Sequence, residues 1–254
     1  MTDSSRRDFL TTASVAAAGG LLAATAGPSV SAEKPEAAPA TAPDVPAFAQ
    51  THQARPLSFD PAKLKGLSEK LIRSHWENNY GGSVKILNAV NKQLAEALAQ
   101  KDSPPFVYNG LKREHLMRTG SVVLHELYFD NLGGDGKTDA ALRNQIAAAF
   151  GTFDTWETEF RKIGAGLGGG SGWVILGYNV HSGRVENYWL WDHLHGPAAT
   201  MPLLVMDMYE HSYQMDYGAA AAKYIDAFFQ NVRWEAVAAR LAHARSFAKP
   251  ENPT

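Results

Sequence analysis

The sequence predicts an α+β fold, in which helices come first, a small antiparallel sheet follows and two more helical segments close the chain. Apolar residues recur at helical spacing from Pro61 to about residue 168. Three short runs rich in aromatic and β-branched residues come next, each bounded by turn signals. Helices and strands therefore occupy separate stretches, which is typical of an α+β arrangement.

The N-terminal half is predicted to be entirely helical. Asp60 is a favourable N-cap and Pro61 a favourable first helical residue, so a helix should begin there. A break or kink at Gly81 and Gly82 would give two long helices or one interrupted helix. Another helix is expected over "KREHLMRTGSVVLHELYFDNL", and "GGDGK" should end it. Its core candidates are Leu116, Val123, Leu124 and Leu127.

The C-terminal half starts with two shorter amphipathic helices within "DAALRNQIAAAFGTFDTWETEFRKIGAGLG". The strands are predicted over "GWVILGYN", "GRVENYWLW" and "PLLVMD". Two helices should follow, over "YEHSYQMDYGAAAAKYIDAFFQNV" and "WEAVAARLAHARSF". We accordingly expect one domain over residues 61–133 and a second over residues 138–250.

The first residues of the sequence resemble a targeting signal. "SRRDFL" places two arginines before a Phe-Leu pair, and a weakly apolar run then leads to "SVSA", which ends at Ala32. Residues 1–32 resemble a twin-arginine export signal, which predicts a periplasmic or otherwise exported protein. The run is too mildly hydrophobic to favour a stable membrane anchor. The alternative is a disordered N-terminus with a chance arginine pair. Residues 33–60 are rich in Pro and Ala and are predicted to form an arm or linker.

Composition narrows the possible functions. The chain has 254 residues, 45% of them hydrophobic, and a formal net charge of −2, so nucleic acid is not expected as a partner. There are no cysteines, which excludes disulfides, thiolate metal ligands and thiol nucleophiles. Any transition-metal site must therefore use the nine histidines and the carboxylates.

Four residues could form such a site: His75, His125, Asp207 and His211. Three imidazoles and one carboxylate suit Fe or Mn as well as Zn. Spacing alone does not decide the matter, because an Asp can also cap a helix and a lone His on a helix is more often structural.

Local sequence around these positions is more specific. Five segments around them follow one another in a recognisable order: "SHWENNYGGSVKILN", "LHELYFDNL", "GSGWVIL", "PLLVMDMYEHSYQMDY" and "KYIDAFFQNVRWEAVAARL". Their order and separations are those of the iron and manganese superoxide dismutase family. The chain resembles this family from about Leu64 to Phe247. The resemblance implies a helical hairpin domain followed by an α/β domain, with one Fe or Mn ion per subunit between them. It also implies the ligands His75, His125, Asp207 and His211.

The resemblance assigns further roles around the metal. Trp173 and Tyr209 match aromatic positions that wall the metal, with Tyr209 in place of the usual Trp. Glu210 matches a glutamate that reaches the partner subunit's ligand, which implies a homodimer. Superoxide is the implied small-molecule substrate, converted to dioxygen and hydrogen peroxide.

The same comparison exposes departures around the substrate entrance. Asn79 stands in place of a gateway His, Ser83 in place of a Tyr, Gln214 in place of the Tyr that meets this His across the dimer, and Ala221 in place of an Arg. The outer-sphere Gln is replaced either by Ser121 or, near "WLWDHLHG", by His193 or His195. We take His193 as the candidate proton donor. His193 and His195 could also share one face of a strand as a second metal pair.

These departures leave three functional readings. The first is a dismutase of reduced or altered efficiency. The second is a metal-binding protein on the same fold, with weak or no dismutase activity, which acts as a reservoir or partner-binding module. The third is an oxidase or oxygenase that uses the widened entrance.

Overall fold

A helical hairpin opens the structure, a computed structural model that describes residues 45–247. It comprises α1 (Glu69–Ser74), a π-helical turn (His75–Tyr80), α2 (Gly81–Ala99) and α3 (Pro105–Asp130). The first three follow one another without a break, and α3 packs against α2. The predicted export signal and residues 33–44 of the predicted arm lie outside the described residues.

The start of the first helix was predicted wrongly. Asp60 does cap a turn, since its Oδ1 accepts a hydrogen bond from Ala62 N at 3.1 Å, but this turn is a 3₁₀ helix that ends at Lys63. Leu64 is already extended, and α1 begins only after Ser68, whose Oγ accepts a hydrogen bond from Leu71 N at 3.1 Å. A good capping residue thus fixed a local turn without fixing the helix.

The predicted break at Gly81 and Gly82 is also absent from this segment. Gly81 has helical dihedral angles, and the irregularity lies one turn earlier, in the π-helical turn. Of the two alternatives, the single interrupted helix is therefore correct.

The third helix begins at Pro105, seven residues before the predicted start, with Pro at a favourable first position. Leu124 is buried and Leu127 half-buried, as predicted, but Leu116 and Val123 are 53% and 46% exposed. The buried face of α3 instead runs through Ser121, His125, Tyr128 and Phe129, together with Val122 and Leu124. Two of these residues are polar, so apolar periodicity alone could not find this face.

The sheet matches the prediction. β1 (Gly172–Asn179), β2 (Arg184–Trp191) and β3 (Thr200–Asp207) form an antiparallel sheet in the order β2-β1-β3. Every residue of β1 except Asn179 is buried, because helices and both neighbouring strands surround it. The predicted α+β fold, with a helical N-terminal region and a three-stranded antiparallel sheet, is confirmed.

Four helices complete the domain around the sheet: α4 (Ala140–Phe150), α5 (Phe153–Leu167), α7 (Ala221–Gln230) and α8 (Trp234–Ser246). The long helix predicted from Tyr209 is divided into a 3₁₀ turn (Glu210–Ser212), a short α6 (Gln214–Tyr217) and α7. Gly218 separates α6 from α7 with a φ of +54°, a conformation that side chains disfavour. The predicted domain boundaries, 61–133 and 138–250, remain predictions.

The described end of the predicted arm packs on the hairpin. His52 N donates a hydrogen bond to the Asn88 side chain at 2.8 Å, and Arg55 N donates one to the Tyr80 hydroxyl at 2.8 Å. Within residues 45–247, no helix is both long and apolar enough to span a membrane.

Candidate metal centre

Four side chains converge between the helical hairpin and the end of the sheet. One ligand atom from each of His75, His125, Asp207 and His211 lies within 4.8 Å of those of the other three. The Oδ2 atom of Asp207 is 3.1, 3.7 and 3.3 Å from the Nε2 atoms of His75, His125 and His211. The structure therefore brings together all four predicted ligands.

His75 is the first residue of the π-helical turn and is 1% exposed. The helix that carries it is fixed at its start, because Asp216 accepts hydrogen bonds from both N and Oγ of Ser68 at 2.7 Å. This contact ties the start of α1 to α6, the segment that follows His211.

His125 is positioned by its own helix. Its Nδ1 lies 2.7 Å from the carbonyl oxygen of Ser121. A carbonyl can only accept, so Nδ1 carries the proton and Nε2 presents a lone pair to the cluster. α3 is in turn fixed to the sheet, since Asn131 Oδ1 accepts a hydrogen bond from Val205 N at 3.0 Å.

Asp207 ends β3 and is fully buried. Its Oδ1 accepts a hydrogen bond from Tyr209 N at 2.8 Å, and its carbonyl oxygen accepts from the hydroxyls of Tyr224 at 2.6 Å and Ser212 at 2.9 Å. Burial alone would raise the pKa of Asp207, but the neighbouring imidazoles of His211 and His75 outweigh it and hold the pKa of this carboxyl below its usual range. The group is a carboxylate and therefore a potential ligand.

The remaining polar atoms fit a metal ion. Within the described residues, both ring nitrogens of His75 and Nε2 of His125 are buried without a hydrogen-bond partner. Burial lowers the pKa of both imidazoles, against the attraction of the Asp207 carboxylate, so both are neutral and have lone pairs to donate. Orphaned buried nitrogens are costly, and coordination would satisfy the lone pairs that face the cluster.

Aromatic rings enclose the cluster. Trp173 pairs directly with Asp207 across the β1–β3 ladder, so both side chains emerge on one face of the sheet. The Trp173 ring is fully buried and lies 5.1 Å from that of His125, and the Tyr209 ring stacks on His211 at 5.1 Å. Both residues thus occupy positions beside the ligands.

Of the two histidines after β2, only His193 reaches the cluster. β2 ends at Trp191 and Asp192 has a φ of +54°, so the predicted strand alternation of His193 and His195 is wrong. Trp173 Nε1 donates a hydrogen bond to His193 Nδ1 at 3.0 Å, and the His193 ring stacks on Tyr209 with centroids 4.7 Å apart. The His195 side chain is 58% exposed and does not line the pocket over the cluster.

The sequence analysis missed Gly120, whose lack of a side chain lets the turn with His193 lie close to α3. A Cβ at Gly120 would lie 2.0 Å from the carbonyl oxygen of His193. The turn that carries His193 therefore rests on the backbone of α3, one turn before His125. A glycine inside a helical pattern was the available signal.

A pocket of about 280 Å³ leads to the ligands. It is lined by His125, His211, His193 and Tyr209 near the cluster, and by Asn78, Asn79, Gly82, Ser83, Ile86, Arg118 and Ser121. Ser83 is buried and lies 2.8 Å from Ser121, Oγ to Oγ. Of the other altered gateway positions, Gln214 is exposed and Ala221 begins α7, and neither lines the pocket.

Fold and site together define a protein able to bind one metal ion through three imidazoles and a carboxylate, at the junction of a helical hairpin and an α/β domain. Comparison with known proteins agrees. Residues 138–240 match the family model described as "Iron/manganese superoxide dismutases, C-terminal domain".

Relatives match over most of the described chain. "Superoxide dismutase [Fe]" of Cupriavidus metallidurans is 54% identical over 193 residues, which cover 76% of this chain and 98% of the relative. "Superoxide dismutase [Fe]" of Aquifex aeolicus is 36% identical over 72% of this chain and 88% of the relative. "Superoxide dismutase [Mn] 2" of Haloferax volcanii is 30% identical over 76% of this chain and 97% of the relative. The chain belongs to the iron/manganese superoxide dismutase family.

Proposed function

We propose that this protein is a metal-dependent superoxide dismutase that converts two superoxide anions and two protons to dioxygen and hydrogen peroxide. The main support for this proposal is the cluster of three imidazoles and one carboxylate, whose ligand atoms lie within 4.8 Å of one another. Membership of the family and the printed names of the relatives support the reaction.

The ligands we propose are Nε2 of His75, His125 and His211 and Oδ2 of Asp207. A bound Fe or Mn ion would supply the one-electron chemistry, accepting an electron from one superoxide and giving one to the next. Three neutral imidazoles and a single carboxylate leave such a site with net positive charge, which attracts an anion. The neutral imidazoles of His75 and His125 can coordinate a metal ion without first losing a proton.

His193 is our candidate for the outer-sphere proton donor. An indole N–H can only donate, so the hydrogen bond from Trp173 leaves His193 with its proton on Nε2. Burial is the main cause that lowers the pKa of His193 to about 4, so the ring is neutral at pH 7 and can still donate from Nε2. Stacking on Tyr209 fixes the plane of the ring.

A matched pair of variants tests this role. We expect His193→Ala to lower the dismutation rate by about 10²–10⁴-fold, the range for loss of a side chain that takes part in proton transfer. His195→Ala, in the exposed part of the same turn, should leave the rate and the metal content unchanged. A His193→Ala protein with the metal content and the rate of the wild type would refute the assignment.

The main test combines metal analysis with a dismutase assay on the same sample. The wild type should hold one Fe or Mn ion per subunit and dismutate superoxide, and His125→Ala should lose both properties. Full metal occupancy without turnover would contradict the proposed function. It would support the second candidate, a metal-binding protein, which is favoured by Ser83 and Asn79 in the pocket lining in place of a Tyr and a His.

We also propose a homodimer that uses Glu210. This residue is exposed, is next to His211, and its carboxylate has no hydrogen bond or ion pair within residues 45–247. Light scattering should give twice the subunit mass, and Glu210→Ala should shift the protein toward the monomer. A monomeric wild type at micromolar concentration would contradict this proposal.

Export by a twin-arginine route is a further proposal, supported by Arg6 and Arg7 and the weakly apolar run that follows them. Fractionation of the producing cell should find the protein in the periplasm. The double variant Arg6→Lys and Arg7→Lys should retain it in the cytoplasm, and unchanged export of that variant would refute the route.

A further inference from the structure

The pocket over the ligand cluster has one lining residue with a permanent charge. Of the residues of the described chain that line it, only Arg118 is a Lys, Arg, Asp or Glu. The others are histidines, Tyr209, small polar residues, a glycine and Ile86. An ion that enters the pocket therefore enters a space lined by one fixed positive charge and by the ligands His125 and His211.

The position of Arg118 on α3 explains its presence there. Arg118, Ser121 and His125 are three and four residues apart in turn, so they share one face of the helix. The side chain of Arg118 is 25% exposed, and its Nε donates a hydrogen bond to Glu114 Oε1 at 2.6 Å. Glu114 itself does not line the pocket. The ion pair thus fixes the guanidinium while placing its counter-charge outside the pocket.

We propose that Arg118 is a positioning residue that draws the anionic substrate into this pocket, with Glu114 fixing and partly offsetting its charge; this rests on the proposed function. A charge in the lining of a low-dielectric cleft raises the local concentration of an oppositely charged ligand.

The proposal predicts opposite effects on the rate constant when the two partners of the ion pair are neutralised in turn. Arg118→Gln removes the attracting charge and should lower the second-order rate constant for superoxide by about threefold to tenfold at 10 mM ionic strength. Glu114→Gln removes the offsetting charge and should raise it by about twofold or more. Arg118→Lys keeps the charge and should retain at least half of the wild-type value. A merely structural contact would predict a loss, or no change, for both Gln variants.

Matched controls separate the pocket from the overall charge. Arg113→Gln changes the net charge equally, on an exposed position of the same helix. Glu157→Gln breaks a similar i,i+4 pair away from the pocket, in which Arg161 Nε donates to Glu157 at 2.7 Å while its Nη1 donates to Asp226 at 2.8 Å. Both should leave the rate constant within about 1.5-fold of the wild type, because exposed charges at a distance are screened.

The experiment measures superoxide decay by stopped flow on the full-length, metal-loaded protein at 10 mM and 500 mM ionic strength. The difference between Arg118→Gln and the wild type should shrink to less than about twofold at high salt, where the Debye length is only a few ångströms. Metal content is measured for each sample and must be equal.

A second measurement does not depend on turnover. Azide, a small anion, is titrated into the metal-loaded protein at low salt and its equilibrium binding is followed by absorption. Arg118→Gln should raise the Kd for azide by about threefold to tenfold, and Glu114→Gln should lower it. Equal Kd values for the wild type, Arg118→Gln and Arg113→Gln would overturn the proposal. If the wild type had no turnover, the proposed function would fail, while the azide titration would still decide the role of Arg118.

Discussion

The contact between Gly120 and the turn that carries His193 gives the sharpest prediction. A Cβ at Gly120 would lie 2.0 Å from the His193 carbonyl oxygen and 3.1 Å from its carbonyl carbon. Both are backbone atoms, so no side-chain rotation can relieve the overlap. In Gly120→Ala the turn must move away from α3 by more than 1 Å to reach an ordinary contact distance of about 3.4 Å or more.

A second glycine of the same helix isolates the cost of this overlap. A Cβ at Gly110 would have nothing within 4 Å. Both substitutions gain about 1 kcal/mol from helix propensity, so the difference between them reports the overlap alone. Overpacking of this kind costs about 1–3 kcal/mol, which corresponds to about 2–12 °C in Tm for a protein of this size. Gly120→Ala should therefore melt below Gly110→Ala by that amount.

The assay is thermal unfolding of both metal-loaded variants at one protein concentration, together with dismutase activity and metal content. Displacement of the turn should weaken the 3.0 Å hydrogen bond between Trp173 and His193, so Gly120→Ala should lose activity while it keeps its metal. Gly110→Ala should keep both. Equal melting temperatures and equal activities for the two variants would refute the reasoning.

Three further predictions concern the ligands, the hairpin and the sheet. Asp207→Asn removes the only charge among the four ligands and should weaken metal binding by more than about 100-fold in a chelator competition; wild-type affinity would contradict the cluster as the metal site. Burial, aided by Glu126, raises the pKa of Tyr80 to about 12, so this residue stabilises the fold fully below pH 10 and progressively less up to pH 12. Between pH 9 and pH 12 the free energy of unfolding in urea should therefore fall for both proteins, but by up to about 3 kcal/mol less for Tyr80→Phe than for the wild type. Equal decreases in the two proteins would exclude Tyr80 as the cause. Asn131→Ala leaves the buried Val205 N–H without its partner and should lower the free energy of unfolding by about 1–3 kcal/mol in urea at saturating metal. A loss below about 0.5 kcal/mol would show that this hydrogen bond does not fix α3 to β3.

The sequence predicted the helices and strands better than it predicted which side chains are buried. Strand bounds followed from turn signals and aromatic runs, and the four candidate ligands followed from family resemblance. The π-helical turn at His75 has no simple residue signature, and burial of Leu116 or Ser121 depends on what packs against α3. Gly110 and Gly120 look alike in the sequence, since both are single glycines in one helix. Only the tertiary contact with the His193 turn separates their roles.

The two sides of the ligand cluster differ in access, which bears on catalysis more directly than the ligand set does. His75 and Asp207 are at most 1% exposed, and Tyr128, Phe129 and Trp173 pack against the imidazoles on the closed side. His211 has 26% of its side chain exposed, and with His125 it faces the pocket. Sites that only stabilise a fold are closed on all sides, whereas catalytic sites leave one direction open to solvent and substrate. Within the described chain this open direction is also where His193 and Arg118 lie, so the proposed proton donor and the proposed attracting charge line the same pocket. A protein that only stored metal would need neither at that position.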